Sequence, residues 1–197
     1  QKDKKKKKGM SAVIPGVGVV DDFCSPTAAF WGVSGAAIAL VLCNLGAAYG
    51  SAKAGVGVTH LGMIEPKLLM KGLLPVVMAG ILGIYGLIVS ILIMNNVKLK
   101  DGYSSYQGYA DLCAGLAVGF SAVGSGYAIG LVGDIGARSF AVETKVFTGM
   151  ILIMIFSEAL ALYGLIVSLL TASIKGGPSC PEPKLLNMTA SSTPFAF

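Results

Sequence analysis

The sequence predicts an all-α membrane protein, with four transmembrane helices arranged as two tandem-duplicated hairpins. Three observations carry that expectation. The 197 residues are 54% hydrophobic and 13% charged, against about 25% charged in ordinary soluble domains. Four apolar stretches reach the roughly 20 residues that a helix needs to cross about 30 Å of hydrocarbon. The second half of the chain also repeats the first, at a spacing of 78 to 80 residues.

The apolar stretches run from Phe23 to Ala52, Gly72 to Val97, Leu112 to Gly133 and Val146 to Ile174. The first three contain no charged residue and the fourth contains only Glu158. None alternates polar with apolar residues, so membrane strands are excluded. The first is too long for a signal peptide and lacks the short apolar region with a cleavage site. The chain therefore divides into a lysine-rich tail over 1–22, a first hairpin over 23–97, a connection over 98–111, a second hairpin over 112–174 and a polar tail over 175–197. Within and between the hairpins, Lys53 to Lys71, Lys98 to Asp111 and Asp134 to Lys145 read as short polar connections, too short for a soluble domain. His60, in the first of these, reads as a solvated loop histidine.

The repeat sets AGILGIYGLIVSIL, residues 79–92, against SEALALYGLIVSLL, residues 157–170. It also pairs Gly35 with Gly115, Gly46 with Gly126 and Gly50 with Gly130. Each unit crosses the membrane twice, so both copies have the same orientation, unlike inverted transporter repeats. The first and third helices carry small residues at helical spacing: Gly35, Ala39, Cys43, Gly46 and Gly50, then Gly115, Gly119, Gly126 and Gly130. Such a ridge allows close helix contact where lipid removes the usual hydrophobic driving force. The second and fourth helices are bulkier and suit a lipid-facing outer layer.

Glu158 lies 13 residues beyond Lys145 and 17 before Lys175, roughly 20 and 25 Å from the two ends at helical rise. A carboxyl near the bilayer midplane costs about 2.5 to 3.5 kcal/mol on insertion scales, so a functional role is the default reading. Transfer out of water favours its neutral form, which suits reversible proton carriage. The bland alternative is a structural carboxyl bonded to a neighbouring helix. Nearby oxygens on its own helix come from Ser157 and Tyr163, and other helices could add Ser121, Ser125 or Tyr85. A sodium site needs several converging oxygens, so a proton is the expected cargo. At the 78-residue spacing Glu158 pairs with Gly80, so one copy lacks the acid.

Other signals are weak. Six of the fifteen basic residues are Lys2 and Lys4 to Lys8, a terminal run that reads as a solvated tail, so no nucleic-acid partner is expected. Cys24, Cys43, Cys113 and Cys180 show no metal-binding spacing. Cys43 and Cys113 sit in apolar runs as small residues, and Cys24 and Cys180 share a side of the membrane, which permits a disulfide without establishing one. GSGYAIG, residues 124–130, has the wrong spacing for a dinucleotide loop and no preceding strand. Without a phosphate-binding loop or catalytic triad, the chain alone is not expected to be an enzyme, and no metal or other cofactor is expected.

The segment MILIMIFSEALALYGLIVSLL, Met150 to Leu170, together with LGAAYGSAKAGVGV, PVVMAGILGIYGLIV and GYAIGLVGDIGAR, closely resembles the proteolipid ring subunits, the c family, of vacuolar-type ATPases, over about residues 28–173. The resemblance implies a ring of such proteolipids, embedded in membrane lipid, that rotates against the static a-type membrane subunit and is driven through the d-type subunit of the central stalk by a separate ATP-hydrolysing sector. It implies that Glu158 carries the proton and passes an arginine of the static subunit. With Gly80 in the first hairpin, the chain fits the c or c-prime type rather than the c-double-prime type. The lysine-rich start and residues 176–197 depart from the family pattern.

The resemblance also implies lumenal termini in vacuolar or other acidic endomembranes, or in the plasma membrane. Basic residues divide ten to five in favour of the terminal side, and four to five without the distal lysine run, so the positive-inside rule barely decides. Asn187-Met188-Thr189 is an acceptor sequon that could be glycosylated from the lumen. The alternative function is a four-helix channel or assembly scaffold without ATP coupling, in which Glu158 lines a pore. A secondary transporter would show more polar residues at the midplane than this sequence offers.

Overall fold

The computed structural model describes residues 27–99 and 103–173. Among them are four helices long and apolar enough to cross a membrane. Helix α1 spans Ala28–Ile64. A 3-10 turn at Pro66–Leu68 and the short α2, Leu69–Gly72, lead into α3, Leu74–Leu99. The second hairpin comprises α4, Ser105–Val142, and α5, Val146–Ser173. Asn187, Cys24, Cys180, the lysine run and the C-terminal tail lie outside the described residues.

The inner helices are longer than the apolar runs suggest. At 37 and 38 residues, α1 and α4 are each about 55 Å long, well beyond the hydrocarbon thickness. Composition marks where a helix meets lipid, not where it ends, and α1 meets no breaker until Pro66 disfavours the helical region at Glu65, whose φ and ψ are −135° and 88°. Most of the first expected connection is therefore helix. His60 is correspondingly a half-buried residue of α1 rather than a loop residue, and its Nδ1 has no hydrogen-bond partner among the described residues.

At the other hairpin, Ser104 caps α4 by accepting from the Gln107 amide at 3.4 Å. Asp111 and Asp134, which the sequence placed in polar connections, lie inside that helix. Asp111 is fully buried and accepts from the Tyr103 hydroxyl at 2.6 Å. Burial, and next this hydrogen bond, push the Tyr103 phenol up from its ordinary value.

Packing follows residue size. The most extensive helix contact is between α1 and α4, with α3 laid against α1 and α5 against α4. A methyl added at Gly46 would come within 2.6 Å of the Ala122 carbonyl oxygen, and one at Gly126 would collide with the Gly46 carbonyl. Gly35 and Gly115 repeat the arrangement farther along the same seam. The ridge of each inner helix therefore meets the ridge of the other inside one chain. Gly50 and Gly130 extend it, while Gly119 meets the side chain of Leu42. The outer helices close on each other less, with Asn96 of α3 donating to the Ala172 carbonyl at 2.8 Å.

Candidate functional site

Glu158 stands 12 residues from the start of α5 and 15 from its end, about 18 and 22 Å along the axis. Its helix packs mainly on α4, and its side chain is half-buried. From α3, the Tyr85 hydroxyl donates to Glu158 Oε1 at 3.0 Å, across 73 residues of sequence. Tyr85 itself packs against two buried apolar clusters, one around Cys43, Val89 and Val118 and the other around Leu82, Ile129 and Met154, which fixes the ring and aims its hydroxyl at the carboxyl. No ion pair to Glu158 occurs among the described residues; the exposed pair Arg138–Asp134 lies elsewhere, within α4.

The other residues expected around the carboxyl separate clearly. Tyr163 is 64% exposed. Five residues along a helix turn through about 140° net, so Tyr163 points away from Glu158 on their shared helix, a relation that spacing alone could have shown. Ser157 contributes its main-chain carbonyl, which accepts from the buried Ser125 hydroxyl of α4 at 2.7 Å. That bond ties the turn bearing Glu158 to the inner layer. Ser121 donates to the Val118 carbonyl of its own helix and abuts Gly164. Neither hydroxyl, of Ser121 or of Ser125, is thus directed at the carboxyl. No group of three or more His, Cys, Asp or Glu side chains converges among the described residues.

Residue 80, the repeat counterpart of Glu158, lies on α3. A methyl built at Gly80 meets no atom of the protomer within 4 Å. The site is therefore asymmetric, with one carboxyl, one tyrosine that reaches it, and an open position where the second carboxyl would stand.

The family model for the C subunit of ATP synthase matches twice, at residues 34–93 and 112–171, once for each hairpin. A V-type proton ATPase 16 kDa proteolipid subunit from Chrysotila carterae is 56% identical over 158 residues, covering 78% of this chain and 96% of that protein. The chain belongs to the V-type ATPase proteolipid family. The c' subunit of the V-type proton ATPase from Saccharomyces cerevisiae is 50% identical over 143 residues, covering 73% of this chain and 87% of its own length. The 16 kDa proteolipid c subunit of the V-type proton ATPase from Ovis aries is 51% identical over 146 residues, covering 74% and 93%. The two matched segments thus coincide with the duplicated unit legible in the sequence, and the chain is a multi-pass membrane protein of this family.

Sequence reasoning missed Asp111 with Tyr103. The signal was present: Ser104-Ser105-Tyr106-Gln107 has the capping-box spacing that starts a helix, and it places Asp111 inside α4 rather than in a loop.

Proposed function

We propose that this chain is a proton-carrying ring subunit in the membrane sector of a rotary V-type ATPase, and that Glu158 takes up and releases the proton as the ring turns. The observation that supports it most is a single carboxyl halfway along an apolar helix, hydrogen-bonded to the neutral hydroxyl of Tyr85 and to no cation among the described residues. A lone carboxyl inside an apolar span is a functional candidate by default. It can face lipid while neutral and ionise where water and a positive charge reach it.

On this reading the positive charge comes from an arginine of the static a-type subunit, rotation is delivered through the d-type subunit of the central stalk, and the ATP chemistry resides in other chains. Both termini face the lumen of an acidic endomembrane. Tyr85 holds the carboxyl between transfers, and Ser125, through the Ser157 carbonyl, keeps its turn of α5 in register.

Carbodiimide chemistry tests this. A hydrophobic carbodiimide requires a protonated carboxyl in an apolar setting, so in the assembled complex it should modify Glu158 and stop proton pumping. Modification spread over Asp134, Glu143 and Glu65 with Glu158 spared would overturn the assignment.

A further inference from the structure

We infer that Tyr163 of one copy occupies the open position at Gly80 of a second copy of this chain, so that the contact between copies repeats the contact between the two hairpins. The inference rests on the ring reading above. Within the chain, the tyrosine of the first hairpin's outer helix, Tyr85, reaches residue 158 on the outer helix of the second. The repeat places Tyr163 at the position of Tyr85 and Gly80 at the position of Glu158. Carried one hairpin onward around a closed assembly, the same geometry directs Tyr163 of one copy at residue 80 of the next.

Both ends of that contact are open within the protomer. Tyr163 is 64% exposed, although its counterpart Tyr85 is packed against both apolar clusters. Gly80 is exposed, and a methyl there would meet nothing within 4 Å. Where the second hairpin has a glutamate for a tyrosine to hold, the first has only a hydrogen, leaving the volume of a carboxyethyl group beside α3. An aromatic ring with a polar tip fits an open position flanked on the same face of α3 by the exposed Val77 and Ile84. A small residue opposite a large one is also how membrane helices achieve close contact. The absence of an acid at residue 80 is then a shape feature of the interface between copies as well as the loss of a proton site.

Two measurements test the pairing in the assembled complex. With the photo-reactive p-benzoylphenylalanine in place of Tyr163, irradiation of native membranes should join two copies of this chain, with the adduct on α3 around Gly80. An adduct confined to one chain, to a different protein or to lipid overturns the proposal. In the second, Gly80→Phe should lower the amount of this subunit recovered in the purified complex by about five-fold or more, as overpacking a closed contact does. Tyr163→Ala alone should change it less than about two-fold, and the double variant should recover at least roughly half of the wild-type amount, since neighbouring substitutions are non-additive. A Gly80→Phe chain that assembles normally, or a double variant no better than Gly80→Phe, contradicts the pairing. Glu158→Gln separates this from the proton reading: loss of pumping without the cross-link removes only the pairing, and pumping that survives while the cross-link forms removes only the proton assignment.

Discussion

Glu158 and Tyr85 meet through one hydrogen bond, and the chemistry expected at this position depends on it. In hydrocarbon an unsatisfied carboxyl oxygen is costly, and the tyrosine hydroxyl satisfies one without adding charge. Tyr85→Phe keeps the ring and removes the donor. The complex should assemble normally, while ATP-driven acidification falls by roughly five-fold, the equivalent of about 1 kcal/mol for one hydrogen bond. Unchanged acidification would show that the contact has no part in proton transfer. Glu158 was legible in the sequence because no other charge stands in its apolar run. Tyr85 and Tyr163 were both named, and nothing in composition separates them, since each stands five residues beyond residue 80 or 158 in its repeat. Helical rotation separates them, by turning Tyr163 away from its own glutamate. The Ser125 bond to Ser157 was not legible, because it depends on which face of α4 meets α5.

At the scale of elements, the seam between α1 and α4 sets the thickness of the inner layer. Gly126 and Gly124 are two residues apart on α4 and differ completely in surroundings: a methyl at Gly126 collides with the Gly46 carbonyl, and one at Gly124 meets nothing within 4 Å. Gly126→Ala should therefore destabilise the detergent-solubilised ring, by about 1 to 3 kcal/mol for an overpacked contact. Gly124→Ala should be neutral or gain up to about 1 kcal/mol of helix propensity. Thermal unfolding of the two variants side by side checks this, and equal effects would show that the seam is not tight at Gly126. The glycine ridges were readable from spacing, but their partner was not. The uncharged stretches of both inner helices are apolar all round, so periodicity does not say which face meets which neighbour. Helix ends escaped for a related reason: Lys53 and Asp134 mark departure from lipid, while α1 and α4 continue through them and stop only at Glu65 and Glu143.

Across the whole molecule, duplication followed by divergence explains the asymmetry. Two hairpins of the same orientation pack through their thin helices, leaving the greasy helices outside, and one outer helix has a carboxyl where the other has a glycine. On the proposed reading, each chain then offers one proton site for two hairpins. That Glu158 moves the proton is tested most directly by ATP-driven acidification in complexes whose copies of this chain all carry Glu158→Gln. Glutamine keeps nearly the same shape and can still accept from Tyr85, but it cannot ionise. Such complexes should assemble with their soluble partners and fail to acidify. Sustained acidification at the wild-type rate would contradict a proton-carrying Glu158.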